Sequence, residues 1–156
     1  MLALEPEPCC YLETISETIQ FFNEYIFSKF AINQISEHLD LDTSSAESEI
    51  RKHIGICLDL CHSAVEYEDP TEILQQLRSS KILVPKIQLS SSLGMTPVDN
   101  EAIKRLMAFD DGIYLHQVVE RTGQKLNRYD DIKDAVSNFK DDAVDREWRI
   151  HFHVPI

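Results

Sequence analysis

Four of the six histidines, His62, His116, His151 and His153, fall at or near the C-terminal ends of strand-like runs. Carboxylates sit in the same context: Glu5 and Glu7 follow the first such run, and Asp59 ends the second. Imidazole together with carboxylate is the donor mixture that suits Zn²⁺, Mn²⁺ or Fe²⁺. Asp59-x-x-His62 is the sharpest local element, because a strand-ending Asp and a His in the next turn can both reach one ion. Glu5, Asp59 and His62 are therefore the candidate metal ligands. Lys86 and His153 are the candidates for moving a proton, and Lys86 could also hold an anion or a developing alkoxide. Gln88, His116 and His151 are candidate substrate contacts; the Gln88 amide is both donor and acceptor and can orient a hydroxyl. A purely structural polar network is the alternative reading of the same residues. Ser90-Ser91-Ser92 lacks the G-x-S-x-G context of a serine nucleophile. Cys57-x₃-Cys61 lacks the two-residue spacing of zinc knuckles and thioredoxin-like motifs. Reduced, buried thiols are the expectation for that pair. The four glycines form neither G-x-G-x-x-G nor a phosphate loop.

The elements that must position these groups are strands alternating with amphipathic helices. Strand-like runs lie at 2–4, 54–59, 84–89, 113–117 and 148–154. Thr14-x-x-Glu17 is a capping box, and Ile15, Ile19, Phe22 and Ile26 follow at helical spacing to about Lys29. A polar stretch leads to a second box, Ser44-x-x-Glu47, and a helix to about Lys52. Asp69-Pro70-Thr71-Glu72 starts a third helix, with Ile73, Leu74 and Leu77 on its buried face. Further helices are expected over 99–107 and 131–139. Strand centres about 30 residues apart leave room for crossover helices, which argues for a parallel α/β sheet with its strand ends on one side. Along each strand one face is apolar and the other turns polar toward the C-terminal end, as in the mouth of a barrel. A solvated face on an antiparallel sheet is the alternative.

The chain has 156 residues, the size of one domain, and a net charge of −12. That acidity argues against a nucleic-acid backbone binder and a basic membrane-surface protein. Apolar residues at 43% and charged residues at 27% are an ordinary globular balance. No apolar run reaches the ~18 residues of a membrane span, and residues 1–8 lack the basic region of a signal peptide. A cytoplasmic protein with no membrane insertion and no nucleic-acid partner is expected.

Leu4-Glu5-Pro6-Glu7-Pro8, Cys57-Leu58-Asp59-Leu60-Cys61-His62, Lys86-Ile87-Gln88-Leu89-Ser90, Tyr114-Leu115-His116-Gln117 and His151-Phe152-His153-Val154-Pro155 together resemble the metabolite traffic protein EboE family of xylose-isomerase-like TIM barrels. The resemblance runs in order through essentially the whole chain. It implies residues 1–156 as a single partial domain, the C-terminal half of a (β/α) barrel, since a complete barrel needs ~200–250 residues. It also implies a mouth that binds a small polar metabolite with a divalent metal, in secondary-metabolite biosynthesis or traffic. Carried over by motif, Glu5 stands for an acidic ligand and Asp59 and His62 for the Asp-x-x-His pair. Lys86 or Gln88 stands where superfamily enzymes often have His, and His151 and His153 where they have Glu, so the usual isomerase ligand set is not reproduced. A metal-dependent sugar (phosphate) isomerase or epimerase, and an inactive half-barrel, are the alternatives. A half-barrel leaves open edges, which favours completion by a second chain or by self-association.

Overall fold

The computed structural model describes residues 1–110, 112–141 and 145–152. The first part of the chain builds a parallel three-stranded sheet, ordered β1-β2-β3, from Leu2–Leu4, Ile54–Asp59 and Leu83–Gln88. Helix α1 (Ile15–Phe21) starts on the capping box: Glu17 N–H donates to the Thr14 hydroxyl, and the Glu17 carboxylate accepts from Thr14 N–H. A π-helical turn, Phe22–Ile26, follows, and Phe22 is fully buried. The helix therefore ends earlier than the apolar spacing suggested. A separate helix, α2 (Lys29–Leu39), then begins on the Ser28 cap and ends at Asp40 in the left-handed conformation. None of its side chains is buried, although Ile32, Ile35 and Leu39 recur at helical spacing within a segment that reads from the sequence as a polar stretch. Helix α3 (Thr43–His53) is capped by Asp42, which accepts from Ser44 and Ser45 N–H, and not by Ser44. Helices α4 (Leu60–Val65) and α5 (Pro70–Ser79) connect β2 to β3, α5 starting on the expected Asp69-Pro70 cap. Ile15, Phe22, Ile56, Leu58, Ile73, Leu77 and Ile82 form the core between this sheet and its helices.

Two local features align the sheet's polar face. A Cβ at Gly55 would lie 2.5 Å from the Leu83 carbonyl oxygen, so only glycine lets β3 approach there. Register then shifts: Gly55 pairs with Leu83, but Cys57 pairs with Lys86 and Asp59 with Gln88. Two steps on β2 thus match three on β3, a bulge at Val84-Pro85, where proline has no N–H to give the ladder. The extra residue turns Lys86 and Gln88 onto the face that carries Cys57 and Asp59.

The second part of the chain departs from the expected all-parallel arrangement. It forms an antiparallel four-stranded sheet, ordered β4-β7-β5-β6, from Leu93–Met95, Arg146–Ile150, Val118–Thr122 and Lys125–Tyr129. Residues 113–117 are not a strand: Ile113, Tyr114 and Leu115 are exposed, and the ladder begins at Val118. A hairpin at Gly123-Gln124 joins β5 to β6. Gly123, at φ 60°, takes the first central position of a two-residue turn and sets the β5–β6 register with Thr122 opposite Lys125. The last strand is Arg146–Ile150, which shares that sheet and ends before His151. The expected extension to 154 runs partly outside the described residues. Helix α6 (Asn100–Leu106) and helix α7 (Ile132–Asn138) cover one face of this sheet, around Trp148, Val118, Ile150 and Ile132.

The other face meets α4 through Cys61, Val65 and Val119. Tyr67 joins the two sheets, its hydroxyl donating to the Glu147 carbonyl at 3.1 Å, with the Arg121 and Arg149 guanidinium groups over its ring. Arg149 also donates to the Ala64 carbonyl, and Arg128 of β6 forms a two-pronged pair with the buried Glu66. The chain is thus a mixed α/β structure with one parallel and one antiparallel sheet, and no closed barrel forms among the described residues. No described helix is long and apolar enough to cross a membrane.

Candidate functional site

Asp59 is both the last residue of β2 and the N-cap of α4, accepting from Cys61 N–H at 2.7 Å. That cap fixes the carboxylate at the sheet's C-terminal edge and sets His62 one turn on, inside the helix. Both residues are buried. After β1 the Glu5-Pro6-Glu7 segment has no regular secondary structure, and the turn that follows is closed by Glu7 N–H to the Leu12 carbonyl. His62 Nδ1 lies 2.8 Å from the Pro6 carbonyl oxygen, a group that can only accept, so Nδ1 carries the proton and donates. This bond clamps the Glu5–Glu7 segment over α4.

Glu5, Asp59 and His62 each bring a ligand atom within 4.8 Å of the others. This is the set expected from the sequence, and its donor chemistry fits a divalent cation: two carboxylates and an imidazole. Gln88 lies among them. Its amide nitrogen donates to Glu5 Oε1 at 2.5 Å and to Asp59 Oδ2 at 2.7 Å, and its carbonyl accepts from Lys86 Nζ at 2.7 Å. Lys86 and Gln88 are therefore side by side on the polar face, placed there by the bulge. The Ser90 hydroxyl donates to Asp59 Oδ1. Burial alone would raise the Asp59 carboxyl, but the Ser90 hydroxyl, the neighbouring His62 and the backbone N–H groups of α4 outweigh it and hold its pKa below the ordinary carboxylate value.

The second sheet contributes from the opposite side. Because β7 runs antiparallel to β5, the end of β7 lies beside the start of β5, and His151 N–H donates to the Gln117 carbonyl at 2.9 Å. The buried His151 ring packs edge-on to His62, centroids 4.6 Å apart. Its Nδ1 is 2.9 Å from Gln117 Oε1, and Gln117 Nε2 reaches Glu7 Oε1 at 3.4 Å. Glu7, His62 and His151 form a second group whose ligand atoms lie within 4.8 Å of one another.

His116 is placed differently. It is buried, but its ring faces Phe152 at 4.7 Å and Asp131 at 3.9 Å, on the α7 side of the second sheet. His153 lies outside the described residues. Sequence reasoning left out Gln117 and Ser90 as partners and gave Glu7 no role. Glu7 lies two residues beyond Glu5, and each brings a carboxylate near His62. Compared with known proteins, the chain matches no family model, no curated protein and no solved structure.

Proposed function

We propose that the face formed by the ends of β1, β2 and β3 binds a divalent metal ion through Glu5, Asp59 and His62, and with it a small polar metabolite. The observation that carries this reading is the convergence of those three donors within 4.8 Å, with the His62 ring held in place through Nδ1 on the Pro6 carbonyl and Nδ1 also 3.9 Å from Glu5 Oε1. The set is oxygen-rich, which favours Mn²⁺ among the ions that such donors accept. When bound, the ion supplies positive charge to polarise a carbonyl or hydroxyl oxygen. The chain's own part is to orient the ligand. Lys86 and Gln88 present an ammonium and an amide beside the carboxylates, a pairing suited to hydroxyl and carbonyl groups.

Membership of the EboE-like group, with a role in metabolite traffic, is part of the same proposal. It rests on the five quoted segments, three of which supply the residues gathered at this face. The parallel sheet is read as an arc of a (β/α) barrel. Among the described residues β1 and β3 each pair on one side only, which leaves edges that a second chain or a second copy could extend. The role proposed is binding, with Lys86 Nζ engaged by the Gln88 carbonyl, and isomerase or epimerase catalysis is the alternative.

The test is Mn²⁺ binding by the purified chain, followed by equilibrium dialysis and by the shift in melting temperature. Stoichiometric uptake that is lost in Asp59→Ala is expected, and the absence of uptake would overturn the reading. Polyols and hydroxy acids added to the Mn²⁺ form should raise the melting temperature further without conversion detectable by NMR; conversion would establish the isomerase alternative.

A further inference from the structure

We propose that the cavity walled by Tyr11, Phe21 and Tyr25 binds a quaternary ammonium group. This cavity shares no lining residue with the metal ligands proposed at the β1–β3 face, and the inference stands apart from that reading.

The cavity holds about 230 Å³ between the loop that precedes α1 and the helical surface that follows. Its aromatic walls stand in two orientations. The Tyr11 and Phe21 rings are nearly perpendicular, at 83° with centroids 6.2 Å apart, and the Tyr25 ring is tilted by 32° to Phe21 at 5.1 Å. Phe21 and Tyr25 are i, i+4 neighbours, the spacing that brings side chains together on a helix. Tyr25 lies in the π-helical turn Phe22–Ile26, closed by Phe27 N–H donating to the Phe22 carbonyl at 2.7 Å, and such turns occur frequently at functional sites. Core packing does not account for the two tyrosines: Tyr11 is 82% exposed and Tyr25 55%, whereas the adjacent Phe22 is fully buried.

The charge at this cavity is negative. Glu17 and Glu24 both line it. Glu17 Oε2 accepts from Glu13 and Thr14 N–H, each at 3.0 Å, and Glu24 Oε1 accepts from the Gln20 amide at 2.8 Å, so both carboxylates are held in place. Arg128, the cation on this side of the molecule, is paired with Glu13 and Glu66. Among the described residues the guanidinium groups that lie over rings use Phe27, Tyr67 and Phe139, and none lies over this trio. Ring faces attract cations, most strongly those that give up water readily, and quaternary ammonium groups are the ligands that aromatic walls select. Such a group has no N–H to leave unsatisfied on leaving water. The cavity is smaller than the ~300–1,000 Å³ of a site for a drug-sized ligand, and it therefore fits the head group alone. A free metabolite and a trimethylated lysine side chain carry the same head group.

The experiment titrates the full chain, in EDTA, with choline and with its neutral carbon isostere 3,3-dimethylbutan-1-ol, read by the upfield shift of the methyl proton resonance. Choline should bind at least about tenfold tighter than the isostere. Tyr11→Ala and Tyr25→Ala should each weaken choline by roughly three- to thirtyfold, and Tyr25→Phe should retain it. Glu24→Gln should weaken it by about two- to fivefold. Near-UV CD checks folding, and the nearly isosteric Tyr25→Phe and Glu24→Gln variants keep the test decisive if an alanine variant unfolds. An acetylated trimethyl-lysine amide, titrated beside choline, separates the two sources by which binds more tightly. Equal affinity for the isostere would reduce the cavity to an apolar contact and overturn the inference. So would the absence of a methyl shift at millimolar choline, or choline affinity unchanged in both folded alanine variants. Because EDTA removes divalent ions, each of these outcomes leaves the Mn²⁺ reading untouched.

Discussion

Each oxygen of Asp59 is engaged: Oδ1 accepts from Cys61 N–H and the Ser90 hydroxyl, and Oδ2 accepts from Gln88. The Gln88 amide also holds Glu5, so it occupies the space between two carboxylates that a cation would share. An ion entering there must displace it. Gln88→Ala removes this competitor, and Mn²⁺ affinity measured by calorimetry is expected to rise by about tenfold, the worth of one or two hydrogen bonds to charged groups. A second residue sets a pH dependence away from the site. Glu68 accepts from Ile15 N–H at 2.9 Å, and burial, opposed by that bond and reinforced by Glu66 and Glu17, pushes its pKa from 4.5 to about 7. Between those values the folded chain keeps a proton that the unfolded chain has lost. Stability is therefore highest below pH 4.5 as far as Glu68 is concerned, falls as pH rises toward 7, and is flat above. The amplitude is on the order of 1 kcal/mol after allowance for screening at a partly exposed group. Urea unfolding at a series of pH values should show a shallower fall in Glu68→Gln than in wild type. Some slope should persist, because burial raises Glu66 as well. An unchanged slope would mean that Glu68 does not titrate in this window.

At the scale of elements, the decisive feature is the contact between β2 and β3. Gly55 admits the β3 backbone, and the bulge at Val84-Pro85 restores the polar alternation so that Lys86 and Gln88 face the same way as Asp59. Gly55→Ala forces a methyl group against the Leu83 carbonyl. It is expected to cost about 1–3 kcal/mol and to disturb ion binding as well, because the register of Gln88 against Asp59 shifts with it. Denaturant midpoints and Mn²⁺ titration of the same variant test both effects; a fully stable variant with normal binding would show that β3 can back away without consequence. The hairpin at Gly123 is a contrasting case. A Cβ there meets nothing within 4 Å, but the backbone is left-handed. Gly123→Ala should cost only about 1 kcal/mol, from conformation alone.

For the whole molecule, the question is whether two sheets of opposite pairing behave as one unit. Tyr67, Arg149 and the Glu66–Arg128 pair cross between them, and the Glu66 side chain is fully buried. Trp148 is the single tryptophan and sits at the centre of the antiparallel sheet's core. Its fluorescence therefore reports that sheet, while far-UV CD weighs the helices of the parallel part. The two signals should unfold together in wild type. Arg128→Ala leaves the Glu66 carboxylate buried without its partner, with an expected cost of about 3 kcal/mol and a separation of the two transitions. Coincident transitions in that variant would show that the apolar contact through Cys61, Val65 and Val119 is enough to couple the sheets.

What could be read from the sequence alone is what neighbours in the chain decide. The capping box at Thr14, the Asp69-Pro70 helix start, the three parallel strands and the Asp59-x-x-His62 pair all rest on contacts within a few residues or on side-chain alternation. Candidate ligands from distant segments, Glu5 with Asp59 and His62, could be grouped because parallel strands bring like ends together. Pairing direction is another matter. Alternating side chains look the same in parallel and antiparallel strands, and a gap long enough for a crossover helix also accommodates a hairpin and a helix. Residues 113–117 resembled a strand by composition, yet the ladder began at Val118, where Gly123 fixed the register. Only the tertiary structure could bring Gln117 beside His151, aim His116 away toward Asp131, and insert the bulge that turns Gln88 onto Asp59. Each of these depends on contacts between segments 15 or more residues apart, which no local pattern encodes.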